Sequence, residues 1–551
     1  MTAAPTPAVT CCDLTFHWPD GTPVFDGLTV NLTCGRTGLV GDNGTGKSTL
    51  LRLLSGHLRP TRGSVSVTGT LGYLPQEVTP GAELRVDQAL GIAERRAALR
   101  AIEAGDAREE HFDTLADDWD VEERARAALG SLGLGNLELD RDTGHMSGGE
   151  SVLLRLAALL LRSPDVLLLD EPTLNLDLAA RRRLVTTVEN WNTGTLVVVS
   201  HDRELLERVE NIAELRSGEV HTYGGGWSDY TAAVAAQQEA AERDLRVAES
   251  QVRRQKRELE ETRTKLARRQ RAGRKAQAQR RVPGAVAGER KRAAQESAGK
   301  LRGVQEERLD QARERHAEAA QQVRDDAEIR VELPRTAVHA RRTVLRMEDV
   351  RPRFGRPHVV DLQVRGPERV ALVGRNGSGK STLLRTLTGE VSPLSGTAEA
   401  LVPLRFLPQD RGVLDDSRSV LDNAALLAPE ATENHIRAQL ARFLFHGKRA
   451  RRPVGDLSGG ERFRAALAAL MLATPAPQLL VLDEPTNSLD LASVRQLTSA
   501  LDSYEGALLV ASHDLAFLES VGITRWLFLA ETLQETTAEE VRDLVDGEDT
   551  G

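Results

Sequence analysis

Gly41-Asp42-Asn43-Gly44-Thr45-Gly46-Lys47-Ser48, followed by Thr49, has the spacing G-x-x-x-x-G-K-[ST]. The spacing recurs at Gly374-Arg375-Asn376-Gly377-Ser378-Gly379-Lys380-Ser381, followed by Thr382. Glycines let a loop curl so that successive backbone amides point inward at phosphate oxygens, and a helix opening at the lysine adds its positive end. Lys47 and Lys380 would reach β and γ phosphates, and Ser48 and Ser381 would hold Mg²⁺. Two matches in matching context point to nucleotide binding.

Acidic pairs follow each loop. Asp170-Glu171 and Asp483-Glu484 end the apolar runs VLLLD and LLVLD. The aspartates can reach a magnesium shell there, and the glutamates stand where a general base for an attacking water is placed. His201 and His513 end further apolar runs, 30 and 29 residues past the glutamates, and could contact a γ phosphate. Ser147-Gly148-Gly149-Glu150 and Ser458-Gly459-Gly460-Glu461 each open an apolar helical run, offering a second cluster of phosphate-binding amides.

These groups belong to a large internal repeat. Lys47 and Lys380 are offset by 333 residues, as are Gln76 and Gln409, whereas Ser147 and Ser458 are offset by 311. The first copy is therefore about 22 residues longer between Gln76 and Ser147, and the charged stretch from Ala93 to Leu132 is the expected place. Each copy reads as strand, Gly-rich loop, helix and then buried aliphatic strands, the pattern of an α/β domain with a parallel sheet. Between the copies, Ser228 to Gln279 lacks proline and is rich in Ala, Arg, Glu and Gln. A second helical stretch runs from about Gly288 to Ile329. Leu245, Val252, Leu259 and Leu266 fall seven apart, as a paired-helix seam requires, so this segment is expected to be a hairpin projecting about 60 to 75 Å. The expected boundaries are 1–229 with an insertion within about 80–135, 230–335 with a tip near 280–290, and 336–551.

With 551 residues the chain needs several domains. Only 3% is aromatic, so cores of Leu, Ala and Val are expected. Cys11, Cys12 and Cys34 offer no disulfide framework, zinc module or cysteine-ligated iron–sulfur centre. The N-terminus lacks a basic region followed by an apolar one, and the richest apolar run, Leu153 to Leu161, is short and carries Arg155; a cytoplasmic protein without its own membrane span is expected. The net charge of −9, taken as an average, disfavours nucleic acid. Its distribution reverses that inference. Gln251 to Gln305 holds 18 basic and five acidic residues, a net of +13 that leaves −22 on the remainder. Such a stripe is the footprint of phosphate contacts.

The two loops with their Ser-Gly-Gly-Glu motifs resemble the ATP-binding cassette family along both copies. The resemblance implies two P-loop cassette domains paired head to tail within one chain, as a monomer, with ATP and Mg²⁺ as cofactors. One ATP would lie between the Gly41–Ser48 loop and the Ser458 motif, the other between the Gly374–Ser381 loop and the Ser147 motif. Gln76 and Gln409 match the family's magnesium-contacting glutamines, Asp177 and Asp490 its interface aspartates. Trp18 and Phe354 occupy the position of an aromatic that stacks on adenine. Two competent ATPase sites are expected.

Tandem cassettes around a helical hairpin resemble the ABC-F subfamily. That resemblance implies a ribosome partner, with the hairpin entering the exit-tRNA site near peptidyl-site tRNA and ribosomal RNA, its tip approaching the peptidyl-transferase centre. It implies no membrane and no DNA partner, and an arm insertion in the first cassette. The role is expected to be ribosomal protection against a large-subunit antibiotic; 64 Arg to 8 Lys suggests a GC-rich bacterial genome, where such self-protection is plausible. A housekeeping translation factor is the alternative, and a transporter ATPase subunit or a DNA-repair or chromosome ATPase are readings from other classes. The family's usual Asn-His-Leu-Asp is replaced by Leu174-Asn175-Leu176-Asp177 and Asn487-Ser488-Leu489-Asp490.

Overall fold

The computed structural model describes residues 9–76, 84–174, 176–278, 284–323, 329, 333–355, 359–409, 412–487 and 489–547. The chain forms two units, Met1–Trp227 with Ala327–Gly551, and Ser228–Asp326.

The larger unit contains the same α/β layout twice. In the first copy the strands run in the order Leu71–Leu74, Val166–Asp170, Thr195–Val199, Gly35–Val40 and Asn211–Arg216, all parallel, with Glu219–Gly224 antiparallel at the edge. The second copy repeats it with Leu404–Leu407, Leu479–Asp483, Ala507–Ala511, Arg369–Val373, Arg525–Leu529 and Leu533–Thr536. Each copy adds a three-stranded antiparallel sheet, in which Val9–His17 and Thr343–Arg351 are central. Val166–Asp170 and Leu479–Asp483 are buried along their whole length, which accounts for the unbroken aliphatic runs.

Register fixes the chemistry's location. Asp170 pairs with Val199, and Leu39 also pairs with Val199, so the Gly-rich loop, Asp170-Glu171 and Ser200-His201 leave the carboxyl ends of three adjacent strands together. That edge is where parallel α/β sheets bind ligands.

The extra length of the first copy falls between two equivalent bridges, Arg85 with Asp142 and Ser419 with Pro453. Four α-helices fill the first interval, Val86–Ala89, Ala93–Glu103, Glu109–Leu115 and Val121–Ser131, against two α-helices, Val420–Leu427 and Glu433–Arg442, and the short 3-10 helix Gly447–Arg451 in the second. Arg96 anchors the added helices. It is 2% exposed and reaches Asp87 at 2.8 Å, Glu122 at 2.5 Å and Asp140 at 2.6 Å.

The smaller unit is a pair of long helices; the first begins at Trp227 in the larger unit, Trp227–Ala278, and the second is Gly284–Gln322. Ala241, Leu245, Ala248, Val252, Gln255, Leu259, Thr262 and Leu266 form its covered stripe, spaced alternately by four and three residues, with Leu309 and Ala312 buried on the returning helix. Arg263 and Glu306 pair across it at 3.0 Å. The returning helix starts at Gly284, earlier than the expected Gly288, because Ala285, Val286 and Ala287 readily continue a helix. It ends at Gln322 rather than near Ile329. Residues 279–283 of the expected tip, with Arg280 and Arg281, lie outside the described residues, as do Asn175 and Ser488. Among the described residues no helix is long and apolar enough to cross a membrane.

Candidate functional site

Lys47 and Lys380 each begin a helix, Lys47–Leu54 and Lys380–Leu387. The helices are capped by Gly46 at φ 99° and Gly379 at φ 103°, left-handed values that favour glycine. A Cβ on Gly46 would also stand 2.7 Å from Val24 and 2.8 Å from Phe25. The loops close on themselves: Lys47 Nζ donates to the carbonyls of Gly41 at 2.7 Å and Asp42 at 3.0 Å, and Lys380 Nζ to those of Gly374 at 2.7 Å and Arg375 at 3.1 Å. Thr45 N–H donates to the Asp42 carbonyl and Ser378 N–H to that of Arg375. Burial lowers the pKa of both ammonium groups, and the carboxylates of Glu171 and Glu484 oppose that effect.

Two cavities adjoin these loops, and each takes walls from both copies. A cavity of about 560 Å³ is lined by residues that include Trp18, Asn43, Gly44, Gly46, Lys47, Ser48, Thr49, Gln76, Glu171 and His201 from the first copy and Ser458, Gly459, Glu484 and His513 from the second. A cavity of about 570 Å³ is lined by Asn376, Gly377, Gly379, Lys380, Ser381, Thr382, Gln409, Glu484 and His513 from the second copy and by Ser147, Gly148 and Gly149 from the first. Both volumes suit a nucleotide-sized ligand.

Some expected residues stand outside these walls. Glu150 and Glu461 face away into capping boxes: Ser147 N–H donates to Glu150 at 2.8 Å and Ser458 N–H to Glu461 at 3.1 Å. Gly41, Asp42, Thr45, Gly374, Arg375 and Ser378 belong to the loops but not to the cavity walls, and Gly460 lies one residue beyond the wall. Trp18 meets Phe16 edge-on at 5.2 Å and lines its cavity. Phe354 does not line the other: it is 61% exposed, and its neighbour Gly355 supplies that wall. The main chain explains the difference, because Gly355 lies against Gly379 with no room for a side chain, turning Phe354 outward.

Asp170 sits behind Ser48, whose hydroxyl donates to its Oδ1 at 2.9 Å. Its Oδ2 is buried and accepts no hydrogen bond among the described residues, and burial raises its pKa. A buried carboxylate oxygen beside a hydroxyl, with Gln76 in the same wall, is a hard-oxygen donor set that fits Mg²⁺. Asp483 is equally buried behind Ser381's cavity.

Glu171 and Glu484 have φ of 47° and 45°, left-handed backbone at non-glycine positions. Their N–H groups donate to the carbonyls of Val199 and Ala511, which fixes the turn. Burial pushes the Glu171 carboxyl up to about 8 against the opposing charge of Lys47, and Glu484 up to about 7 against Lys380. His201 Nε2 lies 3.3 Å from Glu171 and His513 Nε2 3.4 Å from Glu484. Burial lowers both imidazoles, His201 to about 3, so both rings are neutral. His513 Nε2 also lies 3.1 Å from Lys380 Nζ.

Two aspartates tie the copies together. Asp490 caps its own helix, Leu491–Asp502, and accepts the Asn43 N–H at 2.8 Å; Asp177 caps Leu178–Glu189 and accepts the Asn376 N–H at 3.4 Å. Among the wall residues that escaped the motif reading are Asp202, Asp514 and Arg181, whose basic run Arg181-Arg182-Arg183 has no counterpart in the second copy.

The ABC transporter family profile matches residues 25–174 and 358–487. The probable ATP-binding protein YheS of Escherichia coli K12 is 32% identical over 525 residues, covering 90% of this chain and 75% of that one. The tylosin resistance ATP-binding protein TlrC of Streptomyces fradiae is 33% identical over 511 residues, covering 87% and 89%. A structure of ribosome-bound archaeal Pelota and ABCE1 has a chain with TM-score 0.56 at 19% identity, covering 98% of this chain and 80% of that one, a likeness of fold.

Proposed function

The chain belongs to the ABC-F subfamily of ATP-binding cassette proteins and is an ATP hydrolase, and from that premise we propose that it is a ribosome-binding switch driven by two ATP molecules held between its cassettes. Supporting the two-site reading, each cavity joins a Gly-rich loop from one copy to a Ser-Gly-Gly motif from the other. ATP bound in both cavities would bridge the cassettes, and hydrolysis would release the bridge. Lys47 and Lys380 bind phosphate, while Ser48, Gln76 and Asp170, with Ser381, Gln409 and Asp483, hold Mg²⁺. The metal neutralises phosphate charge when bound. Glu171 and Glu484 take the proton of the attacking water, and His201 and His513 face the γ phosphate as neutral donors.

The observation that carries the ribosome reading is the net charge of +13 on the 55 residues from Gln251 to Gln305, against −22 on the rest. A long basic hairpin enters an RNA crevice while the acidic cassettes resist nonspecific adhesion. The hairpin occupies the exit-tRNA site and directs its tip toward the peptidyl-transferase centre. Protection from a large-subunit antibiotic is the favoured role, supported by a relative named for tylosin resistance whose match covers 87% of this chain and 89% of that one. A housekeeping translation factor is the second reading.

Ribosome pelleting tests the core of the proposal. The Glu171→Gln, Glu484→Gln protein should co-sediment with ribosomes in ATP and lose that association steeply with salt; ATP binding without co-sedimentation would defeat it. Drug susceptibility of a sensitive bacterium expressing the chain, against a variant shortened at residues 280–290, separates the two roles. An unchanged response to every large-subunit drug would select the housekeeping role.

A further inference from the structure

The helices that follow the two cross-cassette aspartates differ at one position facing the opposite copy. Four residues after Asp177 stands Arg181; four residues after Asp490 stands Val494, 5% exposed in the apolar core of the second copy. Arg181 Nε pairs with Asp202, the residue after His201, and its Nη1 donates to the His513 carbonyl of the other copy at 3.0 Å. Asp202 is held in turn, its Oδ1 accepting the N–H groups of Glu204 at 2.9 Å and Leu205 at 3.2 Å. On the far side, His513 N–H donates to Glu484 Oε2 at 3.3 Å. A continuous path thus joins His201 and Asp202 to Arg181, the His513 peptide and Glu484.

We propose that Arg181 is a positioning residue for Glu484, acting through the His513 main chain, whose carbonyl it holds and whose N–H donates to Glu484, and that it makes hydrolysis at the Lys380 site depend on the His201–Asp202 loop of the Lys47 site. Guanidinium suits this task. Its planar fork serves a carboxylate and a carbonyl at once, in fixed directions, which a flexible ammonium does not. The coupling is unequal, since Val494 gives the first copy's His201 carbonyl no equivalent guanidinium donor. Movement of the His201–Asp202 loop draws Arg181 from the His513 carbonyl and unseats Glu484; movement of the His513 loop leaves Glu171 without an equivalent partner.

This inference rests on the reading of Glu171 and Glu484 as the bases of separate sites. The test is ATP turnover with only one site active, Glu171→Gln isolating the Lys380 site and Glu484→Gln the Lys47 site. Arg181→Val is the added change, since valine is the residue the fold already carries at the equivalent position. Turnover at the Lys380 site should fall about tenfold with KM changed less than about twofold, as for loss of a charge-assisted hydrogen bond that orients a base. Turnover at the Lys47 site should fall by clearly less than at the Lys380 site, because Arg181 lines the Lys47 cavity while its main-chain path leads to Glu484. Asp202→Asn, which keeps the helix cap, should also lower turnover at the Lys380 site and add little to Arg181→Val there. Equal losses at both sites, or none at either, would overturn the proposal. Full turnover in the Glu171→Gln, Glu484→Gln protein would instead defeat the reading of the bases, and the coupling with it.

Discussion

Asp490 Oδ2 accepts the backbone N–H of Asn43 at 2.8 Å, while its Oδ1 accepts that of Ser493, so one carboxylate caps a helix in one cassette and holds the phosphate loop of the other. Although burial opposes it, the hydrogen bonds from Ser493 and Asn43 keep the Asp490 pKa below the ordinary carboxylate value. The reciprocal bond, Asn376 N–H to Asp177, is longer at 3.4 Å. The two sites are therefore tied unequally.

Asp490→Ala should weaken the Lys47 site more than Asp177→Ala weakens the Lys380 site. Loss of a charged acceptor from the part-buried Asn43 amide costs about 1.5 kcal/mol, and the longer bond to the exposed Asn376 contributes less. Single-site ATP turnover in the Glu484→Gln and Glu171→Gln backgrounds measures each loss separately. Equal losses would show that the difference in bond length carries no energetic weight.

Both glutamates beside the phosphates sit in left-handed backbone, φ 47° and 45°, a conformation that costs a non-glycine residue about 1 kcal/mol or more. Glu171→Gly should therefore be more stable than Glu171→Ala by about 1 kcal/mol, reversing the usual order of these residues. Neither variant should hydrolyse ATP at that site. Denaturant unfolding midpoints of the two variants, and of the Glu484 pair, give the comparison.

Lys47, Ser48 and Glu171 were legible because phosphate chemistry demands fixed residue types at fixed spacing, and duplication printed the demand twice. The parallel sheet was legible from VLLLD and LLVLD for the same physical reason, burial on both faces. The left-handed glutamates were not, since nothing in Asp-Glu-Pro-Thr announces a positive φ. Arg181 was hidden differently: its role depends on a partner in the other copy, at the far end of a fold that no local pattern encodes. Asymmetry between the copies, Arg against Val, was the one available signal. Phe354, placed by motif position, is 61% exposed and does not line its cavity, whereas Trp18 lines the other.

Cys11 is fully buried in the antiparallel sheet of the first cassette, and burial pushes its thiol up to about 12, with the neighbouring Cys12 adding to the effect. Cys12 and Cys34 are exposed. Since the thiolate is the reactive form, a colorimetric disulfide reagent should titrate two thiols quickly in the native protein and the third only on unfolding. Three fast thiols would mean that this sheet opens readily.

Arg96 is the buried cation among Asp87, Glu122 and Asp140 at the root of the added helices, while the half-exposed Arg85 and Arg100 reach the same carboxylates from the solvent side. Its removal leaves Asp87, itself 1% exposed, without its buried counter-charge. Arg96→Met should thus cost about 3 kcal/mol or more, well beyond an ordinary surface pair. Hydrogen bonding to Arg96 holds Asp140 down at about 2, below the roughly 3.9 of a free aspartate. A carboxylate with a depressed folded pKa adds stability that is complete above the free value and is lost as pH falls through the folded one, here between about 4 and 2. The parent protein should therefore lose stability over that interval, and Asp140→Asn should flatten the loss. Unfolding midpoints across the interval, with Trp119, in the turn between two of the added helices and 6.2 Å from the Phe112 ring, as a fluorescence reporter, test both statements. A parent and an Arg96→Met variant with the same midpoint at neutral pH would show that the helices stand without this anchor.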